Sequence, residues 1–357
     1  MLYFIFTTPV CNLKCQYCGG TIPSAIMPHK IKYSIEDLKN FIVLDDKADI
    51  AFYGGEPLLK TDFMKLIMDK IPAKHFLMQT NGLLIKKLEP EYLHRLHTIL
   101  LSIDGSRAVT DFYRGEGVYD AVIDAVEYLR SVRYEGDIVA RMTVSEKNDI
   151  YESVRHLLSL PFNHVHWQID AVWSVDDAWD NLDRWLEENY KPGIEKLSKI
   201  WIEKMKTGKI LGIVPFQGIV KRMFFQGEGL PCGAGRNAFA ISTSGSILAC
   251  PICSEFNWNN IGDIRNTKPE NIKNTVLIAE PCNSCEIYKY CGGRCLFAYK
   301  ERLWGEEGFR LLCDITKHLV HTLLGLKLEI VRLISKRQIQ KRTLYYPEIN
   351  NTTEIIP

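Results

Sequence analysis

The stretch LYFIFTTPVCNLKCQYC, residues 2–18, decides the fold. Its first six residues, LYFIFT (2–7), are apolar without alternation. That is how a strand reads when both of its faces are covered, as in a parallel sheet with helices packed on it. Three thiols follow at once, Cys11, Cys15 and Cys18. In parallel α/β folds the loops at the C-terminal ends of the strands carry the chemistry, so a cysteine-bearing loop directly behind the first strand marks that end as the working face.

Working outward, further strands are predicted at IAFY (50–53), HFLMQ (75–79), ILLSI (99–103), IVARMTV (138–144) and VHWQI (165–169). Amphipathic helical stretches lie between them, for example Ser34–Leu44, Asp62–Ile71 and Tyr119–Val132. Six strand-then-helix units predict an α/β fold, a partial (β/α)6 barrel over residues 1–173. Residues 174–230 read as bridging helices. The first of these is acidic and aromatic (Trp173, Asp176, Asp177, Trp179, Asp180, Trp185, Glu187, Glu188), either a solvated face over buried Trp or a hold for a basic peptide. Residues 231–313 are rich in Cys, Gly, Pro and Asn and poor in periodicity, so bound metal is expected to supply what a small core lacks. Residues 314–345 read as a C-terminal amphipathic helix, with Ile315, Leu319, Leu323, Leu326, Ile330 and Ile334 on one face. Lys327, Arg332, Lys336, Arg337, Lys341 and Arg342 lie on the other, and residues 346–357 read as a tail.

Of the 357 residues 46% are hydrophobic, and Lys+Arg 44 nearly balances Asp+Glu 43. No global field attracts nucleic acid or an anionic membrane. No apolar run reaches a membrane span, and the N-terminus lacks a basic region before its apolar run. A cytoplasmic location is expected, where thiols stay reduced. The eleven cysteines are grouped as ligands are: three within residues 11–18, and eight between Cys232 and Cys313.

Short motifs stand at the later strand ends. In Tyr53-Gly54-Gly55-Glu56-Pro57, two glycines let backbone approach a ligand and Glu56 can accept from an ammonium; alone this is only a turn. Thr80-Asn81-Gly82 is equally a plain turn. Ser102 and Asp104 share a face at period two, and Arg141 in the fifth strand can fork onto a carboxylate. Gln168 in the sixth strand shares its parity with His164, His166 and Asp170.

The spacing C-x-x-x-C-x-x-C, with Tyr17 before the last Cys, resembles the radical S-adenosylmethionine (SAM) superfamily. The resemblance implies that Cys11, Cys15 and Cys18 hold a 4Fe-4S cluster whose fourth iron binds SAM. It implies reductive cleavage of SAM to a 5'-deoxyadenosyl radical that abstracts hydrogen. Tyr17, Gly54, Gly55, Glu56, Asn81, Ser102, Asp104, Arg141 and Gln168 would cradle the SAM, Glu56 on its amino group. Such a loop can also bind zinc or a structural cluster.

The C-terminal cysteines follow a second pattern. Cys232 leads to Gly245 and Cys250; Cys282-x2-Cys285-x5-Cys291-x3-Cys295 then leads to Cys313. This resembles the SPASM domain, which carries two auxiliary 4Fe-4S clusters; the alternative is two zinc sites. By resemblance, Cys282, Cys285, Cys291 and Cys313 hold the second auxiliary cluster, and Cys232, Cys250 and Cys295 the first. Cys253 is near enough in sequence to close that cluster, and three, four and four ligands use all eleven cysteines.

The resemblance extends over residues 1–313 and runs most closely to the compact archaeal group of peptide-modifying radical SAM enzymes. Sulfatase-maturating relatives place an Asp after the cysteine matching Cys250, where this chain has Pro251. No leader-binding domain is expected ahead of the strand at Leu2, so a separate leader-peptide-binding protein, the bridge or the basic helix would take that role. The expected substrate is a peptide or small protein, with a flavodoxin- or ferredoxin-type electron donor. A small metabolite or cofactor precursor, or a non-enzymatic electron carrier, are the alternatives. The sequence assigns no general base.

Overall fold

In the computed structural model residues 1–18, 20–171, 179–252, 254–302, 305–347 and 349 are described. The chain divides into two compact units, one formed by residues 1–103, 110–139 and 232–277, the other by 104–109, 140–231 and 278–357.

In the first unit the strands are β1 (Leu2–Thr8), β2 (Asp49–Gly54), β3 (His75–Thr80) and β4 (Leu96–Ser102). Consecutive strands are parallel neighbours, with Phe4 opposite Ala51, Ala51 opposite Leu77 and Leu77 opposite Thr98. All seven residues of β1 are buried, as an unalternating apolar strand demands. One face of the sheet, with Leu2, Phe4, Phe6, Ala51 and Leu77, packs with Met27, and Ile22 and Tyr53 lie against it. The helix Ile35–Ile42 starts where Ser34 accepts the Asp37 N–H (3.1 Å) and Asp37 accepts the Ser34 N–H (2.8 Å). This reciprocal cap satisfies two donors that a helix start leaves open.

The cysteine-rich stretch contributes sheet that the sequence reading left as loop. Strand β7 (Ala238–Ile241) lies parallel to β1 on the side away from β2, with Ala240 opposite Phe4. A tight turn at Gly245 returns the chain as β8 (Ser246–Leu248), and β9 (Asn260–Asp263) pairs antiparallel with it. The order across this unit is β4-β3-β2-β1-β7-β8-β9. Strands of three and four residues are too short to show a period, which is why the pattern hid them.

Strand β5 (Asp137–Val144) begins in the first unit and ends in the second, where β6 (His164–Ile169) is its neighbour. Trp167 on β6 is fully buried, its ring 6.1 Å from Phe216, which in turn lies 5.6 Å from Trp201. These residues knit β6 to the helices Lys191–Lys206 and Val214–Phe225. The helix expected after Cys313 already begins at Gly305 and runs to Gly325, with Cys313 inside it. A second helix, Lys327–Ser335, follows a break at Leu326. Ile315, Leu319, Leu323, Ile330 and Leu333 are buried, so the apolar face packs onto the unit and the six basic residues remain in solvent. Of the acidic bridge, Trp173, Asp176 and Asp177 lie outside the described residues, as does most of the tail. No helix among the described residues is long and apolar enough to cross a membrane.

Candidate active site and metal centres

The loop behind β1 gathers its three thiols. Cys15 donates to Cys18 through its side chain, and Cys18 N–H donates to Cys15 C=O (3.2 Å). Cys11 accepts the Leu13 N–H on its sulfur (3.4 Å) and lies within electrostatic reach of Cys18 and Glu56. Burial pushes the Cys11 thiol up. The hydrogen bond from Cys15 brings Cys18 down to about 6 against the opposing effect of burial, aided by the Gly20 N–H and the Arg114 guanidinium. One thiol of the three is therefore readily a thiolate, the form that binds iron.

The end of the helix Arg107–Arg114 holds this loop, a support the sequence reading missed. Gln16 donates its N–H to Tyr113 C=O (2.9 Å) and its side-chain amide to Phe112 C=O (2.7 Å). The Arg114 guanidinium lies 5.4 Å above the Tyr17 ring, and the Tyr17 and Tyr113 rings are 5.9 Å apart. The signal available in the sequence was the Phe-Tyr-Arg run at 112–114 after the fourth strand.

Glycines 54 and 55 bring β2 against the same loop. A Cβ on Gly55 would sit 2.3 Å from the Val10 carbonyl oxygen, and Gly54 has φ +142° with its Cβ position 2.1 Å from Thr8 O. The backbone bonds Gly55 N–H to Thr8 O and Glu56 N–H to Val10 O (each 2.9 Å) depend on that approach. Gly55→Ala is expected to displace the loop that leads to Cys11. Overpacking against backbone costs about 1–3 kcal/mol, and the expected outcome is a lower denaturation midpoint with selective loss of iron from the first cysteine group, read by iron analysis after reconstitution.

Glu56 is 1% exposed, and three donors hold its carboxylate: Thr80 Oγ1 (2.6 Å) and Leu58 N–H (3.0 Å) on Oε1, and Asn81 N–H (2.8 Å) on Oε2. The Asn81 side chain in turn donates to Asn12 Oδ1 inside the cysteine loop (2.8 Å). Glu56 and Asn81 thus clasp the ends of β2 and β3 to the cysteine loop. The clasp leaves Glu56 little acceptor capacity beyond Oε2. Burial raises its carboxyl above the ordinary range, and the three donors counter that. Ser102 closes β4 and is buried.

In the second unit, Asp104 is fully buried and accepts the Thr143 N–H on Oδ1 (2.8 Å); its carbonyl accepts from Asn148 Nδ2 (2.6 Å). Arg141 is 4% exposed on β5. Gln168 is half-buried, His166 is buried, and the His164 ring packs 4.8 Å from Tyr346. Asp170 accepts from Ser145 Oγ (2.6 Å) and Trp179 Nε1 donates to its carbonyl (2.8 Å). These bonds occupy Asp170 in fixing the end of β6.

Cys282, Cys285, Cys291, Cys295 and Cys313 line one cavity of the second unit, of about 480 Å³ counted to its open mouth. Burial first, then mutual repulsion among the thiolates, pushes Cys282 up to about 11. Burial dominates at Cys291, up to about 12, with Arg294 opposing it, and raises Cys313 likewise. Several soft donors facing one enclosed volume, with thiolate charge disfavoured until a cation joins them, suit an iron-sulfur cluster. Cys232 and Cys250 belong to the first unit, their loops joined by Gly235 N–H to Ala249 O (2.9 Å). Asn259 grips Cys250 twice, accepting its N–H (2.8 Å) and donating to its carbonyl (2.9 Å). Cys253 lies outside the described residues.

Residues 5–160 match the family described as the Radical SAM superfamily. The chain is 22% identical to the cysteine-type anaerobic sulfatase-maturating enzyme of Clostridium perfringens, over 80% of this chain and 85% of that one. A solved structure of anSMEcpe with bound AdoMet and Cp18Cys peptide superposes with a TM-score of 0.71 at 18% identity, covering 94% of this chain and 98% of that chain. Streptococcus suis SuiB bound to its precursor peptide SuiA gives 0.57 at 16% identity, over 82% and 71%. These structural likenesses are ones of fold, the α/β partial barrel with its cysteine-rich extension and C-terminal helices.

Proposed function

We propose that this chain, a radical SAM enzyme of the SPASM subgroup, oxidises or cross-links a ribosomally made peptide or small protein. One observation carries the reading: a thiol triplet clasped to the ends of β2 and β3 in one unit, together with a five-cysteine cavity in the other. The first group would hold the cluster that, with SAM and an electron, supplies a 5'-deoxyadenosyl radical able to take hydrogen from the substrate. Cys282, Cys285, Cys291 and Cys313 would hold one auxiliary cluster. Cys232, Cys250, Cys253 and Cys295 would hold the other, leaving it no open iron. Gly54, Gly55, Glu56, Asn81 and Tyr17 would meet SAM from the first unit's loops, and Ser102, Asp104, Arg141 and Gln168 are the further contacts proposed.

The peptide substrate is supported by the relatives: anSMEcpe and SuiB are each seen with a peptide. Pro251 cannot supply the carboxylate that the sulfatase-maturating pattern places after this cysteine, which disfavours oxidation of a Ser or Cys by that carboxylate base. An external flavodoxin- or ferredoxin-type donor would deliver the electron, and a separate protein would present a leader peptide.

Anaerobic reconstitution tests the ligand sets. About twelve irons per chain are expected for three four-iron clusters. Cys253→Ala is expected to weaken one auxiliary signal while 5'-deoxyadenosine formation persists; about eight irons in the wild type, or unchanged auxiliary signals in the variant, contradict the assignment.

A further inference from the structure

We propose that Arg294 sets, by its fixed charge, the reduction potential of the cluster bound by Cys282, Cys285, Cys291 and Cys313, making that cluster the better electron acceptor. The proposal rests on the ligand set given above. Arg294 stands between two cysteines in Cys291-Gly292-Gly293-Arg294-Cys295 and is only 5% exposed. All three guanidinium nitrogens are inaccessible to solvent. Removing a permanent cation from water is costly unless negative charge compensates it. Arg294 lines the same cavity as the five cysteines, where a four-thiolate cluster would carry the opposite charge.

The backbone points the same way. Arg294 sits at φ 58°, a left-handed conformation that a side-chain-bearing residue adopts at a cost, and its N–H donates to Cys291 O (3.1 Å). The two preceding glycines already turn left-handed, so a third glycine would be the unstrained choice for the loop. An arginine at this position is therefore explained by its guanidinium rather than by the turn. Ile287, Phe309 and Leu312 supply apolar wall, which lowers the local dielectric and lengthens the reach of the charge. Lys317, one helical turn beyond Cys313, adds a second cation on the same cavity.

One electron enters the cluster and no bond forms at it. The electron comes from the carbon radical that hydrogen abstraction leaves on the substrate; an O–H, N–H or S–H whose heteroatom bonds to that carbon gives up a proton, and the product is closed-shell. Reduction adds a negative charge to an already anionic four-thiolate cube, so a fixed cation favours the reduced state.

The test is an EPR-monitored potentiometric titration of the reconstituted full-length protein, comparing wild type with Arg294→Met and Arg294→Lys. One couple in Arg294→Met is expected to show at least a tenfold smaller reduced-to-oxidised ratio at a given potential, about 59 mV for one electron. Arg294→Lys is expected to recover most of that shift with iron content unchanged. Should Arg294→Met lose iron, Arg294→Gln, polar but uncharged, is read in the same way. Couples unmoved in the iron-replete Met or Gln variant, or a Lys variant that matches the uncharged one, overturn the role of Arg294 while the clusters stand. A wild type with no auxiliary-cluster signal overturns the ligand set and the role together.

Discussion

Cys15→Ala is expected to reduce the formation of 5'-deoxyadenosine from SAM to the level of a control without enzyme. Cys15 is the most buried of the three leading thiols, at 6% exposure, and its side chain donates to Cys18. Alanine removes one of the three proposed cluster ligands, and removes the hydrogen bond that favours the Cys18 thiolate. In the proposed site the three thiolates are all the cluster's protein ligands, because the fourth iron would stay open for SAM, so no ligand could be spared. The auxiliary signals are expected to persist, with iron falling by about four per chain. Their persistence separates loss of the catalytic cluster from global misfolding. Retained SAM cleavage would remove Cys11, Cys15 and Cys18 from the mechanism.

Glu56→Ala is expected to destabilise the fold by about 3 kcal/mol or more, because it strands three buried donors at once, Thr80 Oγ1, Asn81 N–H and Leu58 N–H. Chemical denaturation measures the loss. The same substitution frees Asn81 and with it the bond to Asn12, so weaker retention of iron by the first group accompanies it. Glu56→Gln keeps the shape but turns one acceptor into a donor facing other donors, and an intermediate loss is expected. The pH dependence has a definite sign. The folded carboxyl is raised above its unfolded value, so its contribution is present in full at acid pH and is lost as pH rises through the raised value. The stability deficit of Glu56→Gln relative to wild type is therefore expected to be largest at acid pH and to narrow as pH rises through that value. Parallel profiles would mean that Glu56 is not the group titrating.

Much of this was legible in the sequence because two signals are local. Buried parallel strands announce themselves as unalternating apolar runs, and the predicted strands differ from β1 to β6 by a few residues at their ends. The largest difference is in β4, which begins at Leu96 rather than Ile99 because His97 interrupts the apolar run. The motifs fall at strand ends, as expected for Gly54, Thr80 and Ser102. What stayed hidden depends on contacts between distant residues. No periodicity shows that Glu56 binds the neighbour of Thr80, that Arg114 covers Tyr17, or that Asn259 grips Cys250. Strands β7 to β9 are too short to read, and their place beside β1 follows from pairing rather than propensity. The helix containing Cys313 extends back to Gly305 through Glu306 and Glu307, acids that favour a helix start but carry no apolar period.

The proposed radical chemistry acts on a peptide. The most direct measurement is mass spectrometry of a short peptide encoded beside the gene, incubated anaerobically with the reconstituted protein, SAM and a low-potential reductant. A peptide lighter by two hydrogens, formed together with 5'-deoxyadenosine and absent in Cys15→Ala, is the predicted result. An unchanged peptide while a small metabolite is consumed and 5'-deoxyadenosine accumulates would contradict it.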